Sequence, residues 1–281
     1  MNKIMLTFLV LLIMTAQESI GQAHATLNVA TYNLRYLNVN DGENIWPNRK
    51  DHVKGLIRFH EFDIVGTQEA VFEQINDILD LEEFAFTGVG RDDGEQAGEH
   101  SAILYRKDRL ELLQSGDFWF SETPEIPSLG WDAQCCNRIS SWAKFRDRTS
   151  KQEFYVFNAH FDHQGVIARR ESAKLLKERI NEIAGDAPVF AMGDFNALPQ
   201  SEPIQTMVSF LDDAYHKSVT PPYGPVGTSN GFRLTSSLER RIDYIFMSDQ
   251  IEVLKYGVLT DFNEQRFPSD HLPVMIKAIV N

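Results

Sequence analysis

Asp194 and Asn196 stand two residues apart behind Pro188-Val189-Phe190-Ala191-Met192-Gly193, an apolar run that reads as a buried strand ending on a glycine. On an extended chain that spacing sends both side chains the same way, so a carboxylate and an amide leave the strand's carboxyl end together. Such a pair can hold an electrophilic oxygen and its counter-cation. Asp and Asn are also common strand terminators that open a turn. Company elsewhere favours the chemistry, because polar residues close other apolar strands: Asn33, Glu69, His160 with Asp162, Asp243, and Asp270-His271. Four carboxylates (Glu69, Asp194, Asp243, Asp270) in one cleft would repel, and some would take up protons. A hard divalent cation removes that difficulty, and oxygen donors without cysteine favour Mg²⁺, Mn²⁺ or Ca²⁺ over zinc. Such a cation also polarises a phosphoryl oxygen and offsets leaving-group charge. A histidine oriented by a carboxylate, as His271 beside Asp270 suggests, is a competent acid–base group near neutral pH.

The strings TYNLR, GTQEA, NAHFDH, MGDFNALP, RRIDYIF and SDHLPVMI, in that order and spacing, resemble the endonuclease/exonuclease/phosphatase superfamily. That metal-dependent group includes pancreatic-type deoxyribonuclease, apurinic endonucleases, sphingomyelinases and inositol polyphosphate phosphatases. The resemblance implies an α/β (α+β) fold, a four-layered sandwich of two packed mixed β-sheets flanked by helices. It implies divalent-metal-dependent hydrolysis of a phosphomonoester or phosphodiester by in-line water attack. Glu69 would be the principal metal ligand, with Asn33 and Asp270 assisting. His271 would pair with Asp243, and His160 would donate to the phosphate or the leaving oxygen. Asp194 would orient or deprotonate the attacking water, and Asn196 would stabilise the transition state. Whether Asp194 or His271 is the base stays open.

Three further residues are substrate-binding candidates. Arg35 and Arg138 are suited to clamp a phosphate. Asp162 is either a substrate contact or a cap on the helix that follows. Trp131, Tyr223 and Phe232 lie in long loops and serve either a substrate's apolar face or core packing.

The elements that must position these groups alternate. Leu27–Asn33 and Asp63–Thr67 read as strands around a helix beginning near Trp46-Pro47, and Val71–Leu81 reads as a second helix. Residues 88–100 form a polar, Gly-rich loop that offers no core. Ser101–Tyr105 and Leu110–Leu113 look like a strand pair, Trp142–Phe145 and Phe154–Asn158 like a hairpin, and 169–184 like a helix stopped by Gly185. Ile242–Met247 and Pro273–Val280 are the closing strands. Glu69 follows Asn33 by 36 positions and Asp194 follows His160 by 34. Two strand–helix–strand units of matching length predict two similar halves with the site between their strand ends.

The amino terminus reads as a secretory signal peptide over residues 1–25: a positive start, an apolar Ile4–Met14, and small residues up to Ala25. The apolar run is too short to span a membrane comfortably, no Cys near the cut suggests a lipoprotein, and no later stretch looks transmembrane. The expectation is an exported protein, periplasmic or secreted, with residues 26–281 as a single domain. Cys135 and Cys136 are adjacent and lack the other ligands of a zinc site; a vicinal disulfide is one reading.

Composition narrows the substrate. With 43% hydrophobic and 24% charged residues the chain is ordinary globular protein, and a net charge of −13 argues against extensive nucleic-acid binding. There is no exposed apolar hairpin of the kind a sphingomyelinase uses, and Arg240-Arg241-Ile242-Asp243 departs from the inositol polyphosphate phosphatase string. Elimination favours a small or medium phosphorylated molecule, lipid headgroup or sugar. A secreted nuclease and a non-catalytic binding protein that keeps the cleft are the alternatives.

Overall fold

Pro47 sits in the first turn of the first long helix and Gly185, at φ +54°, closes the third, so the local signals act where the chain places them. The computed structural model describes residues 25–264 and 266–281. In chain order the elements are β1 (Thr26–Asn33), α1 (Trp46–Phe59), β2 (Ile64–Gln68), β3 (Ala70–Val71), α2 (Phe72–Ile78), β4 (Phe84–Thr87), β5 (Glu99–His100), β6 (Ile103–Arg106) and β7 (Leu110–Trp119). They continue with β8 (Ile139–Asp147), β9 (Glu153–His160), α3 (Val166–Ala184), β10 (Val189–Asp194), α4 (Glu202–Val208), β11 (Asp212–Asp213), α5 (Ala214–Lys217), β12 (Asp243–Met247), β13 (Ile251–Val258) and β14 (Val274–Val280). The expected signal peptide falls, but for Ala25, outside the described residues. No helix among them is long and apolar enough to cross a membrane.

Two six-stranded mixed sheets result, ordered β13-β14-β1-β2-β6-β4 and β11-β12-β10-β9-β8-β7. Each is built on a parallel pair whose strands are joined through a helix, β1 with β2 and β9 with β10, flanked by antiparallel neighbours. Alternation along the strands divides the core. Leu27, Val29 and Ile64 of the first sheet meet Phe154, Val156, Phe190 and Met192 of the second in a central apolar layer. Ala30, Tyr32 and Val65 face outward onto α1 and α2. Phe157, Ala191 and Phe246 face outward onto α3 and α4. The order helix, sheet, sheet, helix is the expected α/β four-layered sandwich.

One local expectation fails. The strand pair around Lys107-Asp108 does not form a hairpin: β6 pairs with β2 and β4 in the first sheet, whereas β7 pairs with β8 in the second. The turn between them crosses the sandwich, held by Arg109, whose guanidinium donates to both oxygens of Asp147 on β8 at 2.8 and 2.9 Å. The 88–100 loop is also more ordered than its composition suggests, since it carries β5 and buries Arg91 and His100.

Candidate active site

Strand parity explains why the polar groups meet. Leu27 and Val29 face the opposite sheet, and Asn33 follows in the same register of twos. His160 continues Phe154 and Val156, Asp194 continues Phe190 and Met192, and Asp243 precedes Ile245 and Met247. Past the last apolar rung, the inter-sheet layer becomes polar at one end of the sandwich. A buried amide brace lies just below: Gln68 Nε2 donates to Asn158 Oδ1 (2.6 Å), and Asn158 Nδ2 donates to the Thr67 and Ala102 carbonyls (2.8 and 2.9 Å). Glu69 breaks the parity of β2. It sits at φ +64°, a left-handed conformation that costs a non-glycine residue energy and is common at functional sites. Arg35 (φ +57°) and Asn196 (φ +47°) share that conformation.

Asn33 Nδ2 donates to Glu69 Oε1 at 3.0 Å and to Asp194 Oδ2 at 3.1 Å, which ties the two halves together. Glu69 Oε2 accepts the Tyr36 N–H (3.0 Å), and Asp194 Oδ1 accepts the Asn196 N–H (2.9 Å). Asp194 Oδ2 lies 3.7 Å from His160 Nε2 and 3.9 Å from His271 Nε2. His271 Nδ1 donates to Asp243 Oδ2 at 2.9 Å, and Thr228 Oγ1 donates to the same oxygen. Asp270 is held through its backbone, whose carbonyl accepts from Asn230 and Gly231.

Burial and neighbours set these groups apart. Burial and the nearby Asp243 push the Asp194 carboxyl up to about 7. Asp270 is raised by burial, which outweighs His271, and Glu69 raises it further. Burial disfavours the imidazolium of His271, yet Asp243, Asp194 and Asp270 hold its pKa well above the ordinary imidazole value. His160 is driven well below that value by burial and by Arg138 and Arg91.

A cleft of 360 Å³ opens over this cluster, walled by Glu69, His160, Asp194, Asn196 and His271 together with Arg35, Arg91, Glu99 and Arg138. Asn33, Asp243 and Asp270 sit behind that wall. Arg35 is held by both oxygens of Asp41, each at 2.9 Å. Arg138 Nη1 lies 3.1 Å from both ring nitrogens of His160, and Nη2 donates to His163 Nδ1 at 2.6 Å. Asp162 does not line the cleft. Its Oδ1 accepts the Gln164 and Gly165 N–H groups in the turn ahead of α3, and Oδ2 lies 3.5 Å from Arg138 Nε. It is therefore neither a cleft residue nor the cap: the first N–H groups of α3, at Ile167 and Ala168, are taken by Asp132 at 3.0 and 2.6 Å.

The three loop aromatics are not on the wall either. Trp131 packs on the outer core of the second sheet, Phe232 stacks with Arg49 (5.3 Å), and Tyr223 is 73% exposed. Cys135 and Cys136 are bonded to each other (Cα–Cα 3.7 Å), and Cys136 reaches the cleft rim. Tyr36, Arg91 and Glu99 are wall residues that the sequence reading passed over. Their signal was weak: an Arg and a Glu inside a Gly-rich polar loop.

The donors fit a hard divalent cation. Glu69 and Asp270 supply carboxylate oxygens that repel each other at partly buried positions. The expected third ligand, Asn33, turns its Nδ2 to Glu69 and Asp194 and its oxygen to the Arg35 N–H (3.0 Å), so it braces the ligands instead. Asp194, Asp243 and His271 offer ligand atoms within 4.8 Å of one another, but the His271 Nδ1 is already engaged with Asp243. Cys135, Asp162 and His163 form a second such group, in which the cysteine is consumed by its disulfide.

Comparison with known proteins agrees with the geometry. The Endonuclease/Exonuclease/phosphatase family matches residues 30–271. A solved family protein of Bacteroides thetaiotaomicron is 42% identical, with TM-score 0.88 over 92% of this chain and 98% of that one. A mannosyl-6-phosphatase of Bacteroides thetaiotaomicron VPI-5482 is also 42% identical, with TM-score 0.86 over 90% of this chain and 99% of its own. An uncharacterized protein of Acanthamoeba polyphaga mimivirus is 27% identical over 82% of this chain and 91% of its own length. The chain belongs to the endonuclease/exonuclease/phosphatase family and is a hydrolase of phosphate ester bonds.

Proposed function

We propose that the protein is an exported, divalent-metal-dependent phosphomonoesterase acting on a small phosphorylated molecule, a sugar phosphate foremost. The observation that carries the reading is the charge inside the cleft. Of the three arginines on its wall, Arg35 is held by both oxygens of Asp41 and Arg91 by both oxygens of Glu99. Arg138 meets one carboxylate, at 3.5 Å, and leans on two imidazoles, so it keeps donors for a phosphate. At 360 Å³ the cleft suits a ligand of monosaccharide size. The similarity to a mannosyl-6-phosphatase over nearly its whole length supports the same substrate class.

In this reading Glu69 and Asp270 would hold Mg²⁺ or Mn²⁺, with Ca²⁺ also compatible with the oxygen set, and Asn33 fixes Glu69 and Asp194 beside it. Bound there, the cation polarises the phosphoryl oxygen and offsets charge on the leaving group. Arg138 and Asn196 position the phosphoryl oxygens, and His160, uncharged, sits between them. Asp194 orients the attacking water and takes its proton. His271, held by Asp243, stabilises the charge that develops on phosphorus. Arg35 fixes the loop above Glu69. Export rests on the amino-terminal segment, and sequencing the mature amino terminus checks it.

The test is hydrolysis of mannose 6-phosphate, p-nitrophenyl phosphate, bis-p-nitrophenyl phosphate and DNA, with and without EDTA. Monoester cleavage lost in EDTA and restored by Mg²⁺ or Mn²⁺ is expected. Activity confined to DNA, or to diesters, would sink the substrate reading, and no cleavage of any ester would leave a binding protein.

A further inference from the structure

Arg91 and Glu99 have no part in the chemistry above, yet both face the reacting groups. The loop that carries them is a rigid hairpin. Gly90, Arg91 and Asp92 donate backbone bonds to Glu95, Glu99 and Ala97 at 2.9, 3.0 and 3.1 Å. A Cβ on Gly90 would come 2.2 Å from the Ala97 carbonyl oxygen, so only glycine allows this approach. Trp119 Nε1 and Asn137 Nδ2 both donate to the Arg91 carbonyl (2.7 and 3.2 Å), which ties the hairpin to the segment that carries Arg138. Glu99 pairs across β5 with Val71 of β3, two residues after Glu69. Its Oε2 lies 3.9 Å from His160 Nδ1.

The two form a bidentate pair. Arg91 Nη1 and Nη2 donate to Glu99 Oε2 and Oε1 at 2.6 and 2.9 Å, so this guanidinium is engaged by both oxygens of a carboxylate, as the Arg138 one is not. What remains is hydrogen-bonding capacity. Each Glu99 carboxylate oxygen keeps a further lone pair. Carboxylate acceptors on the cleft wall, held in place by a fixed frame, match neighbouring hydroxyl groups. A nucleobase would instead need an open aromatic face. Tyr36 is the one Phe, Tyr or Trp on the wall, and Arg35 already covers its ring at 4.6 Å.

We propose that Arg91 and Glu99 form the subsite that recognises the hydroxyl groups of a sugar leaving group and so set substrate choice. The proposal rests on the phosphomonoesterase reading above. It adds a specificity role for two residues that the reaction itself does not need.

The experiment compares kcat/KM for mannose 6-phosphate and for n-hexyl phosphate, a primary alkyl ester without hydroxyls. Wild type, Glu99→Gln and Arg91→Lys are measured, with p-nitrophenyl phosphate as a third substrate and thermal melts as a fold control. Wild type should prefer the sugar ester, and each variant should lower that preference by about tenfold or more, the value of a charge-assisted hydrogen bond. Equal losses on both esters, or an unchanged preference, overturn the subsite. Should a variant not fold, wild type decides alone: competitive inhibition by free mannose but not by 1-hexanol is required, and its absence overturns the proposal. A wild type that cleaves p-nitrophenyl phosphate without preferring the sugar ester overturns the subsite and leaves the phosphohydrolase standing. A wild type that cleaves none of the three overturns both.

Discussion

His160 and His271 carry the same imidazole and are both buried, yet their neighbours drive them in opposite directions. Three carboxylates surround His271, while Arg138 and Arg91 face His160. Replacing His271 with Ala should lower kcat by about 10²–10³-fold, as loss of a positioned charge-stabilising donor does, with an unchanged circular dichroism spectrum. Arg35 and Asp41 supply a separate test. The hydrogen bond from Arg35 holds the Asp41 carboxyl below its ordinary value, so this pair stabilises the fold fully above the unfolded pKa of about 4. That contribution is lost as pH falls through the lower, folded value. The difference in melting temperature between wild type and Asp41→Asn should therefore be present at pH 6 and vanish in strong acid; a difference that persists there refutes the linkage. The residues that end strands were legible one by one. Arg91 and Glu99 were not, because a charged pair in a Gly-rich loop looks the same whether it faces solvent or a cleft.

Elements carry the convergence. Asn33, His160, Asp194 and Asp243 each sit an even number of residues from apolar neighbours that fill the inter-sheet layer, so the period of two aims all four at one place. Gly193 makes that possible in β10. It sits at φ +148°, and a Cβ there would lie 1.9 Å from the Ala159 carbonyl oxygen of β9. Gly193→Ala should cost about 2–5 kcal/mol, combining backbone strain with overpacking, and should displace Asp194 from His160. Urea unfolding read beside kcat checks both. β13 and β4 escaped the sequence reading for ordinary reasons. β13 has a register shift between Val253 and Lys255 that breaks its alternation, and β4 is a four-residue edge strand behind two glutamates. The supposed β6–β7 hairpin failed because pairing partners are non-local: β2 and β8 each claim one of its arms.

At the scale of the molecule, two sheets are pinned face to face below the site by Gln68 and Asn158. At the acidic end of that interface burial and Glu69 raise the Asp270 carboxyl, a repulsion that a bound cation would relieve. Metal should therefore stabilise the whole fold. Mg²⁺ at about a hundred times its Kd contributes about 2.7 kcal/mol, or roughly 5–10 °C in melting temperature for a chain of this size. The shift should disappear in Glu69→Ala, and a Glu69→Ala protein that still responds fully would remove Glu69 from the metal site. The sequence by itself determined which residue types end the strands and which face of each strand they share, since alternation is local and the backbone imposes it. Only the tertiary structure decided that Thr228 braces Asp243, that Asp132 rather than Asp162 caps α3, and which arginine keeps donors for a phosphate. Those outcomes depend on segments far apart in sequence competing for the same few hydrogen bonds, and that competition is resolved only when the layers close.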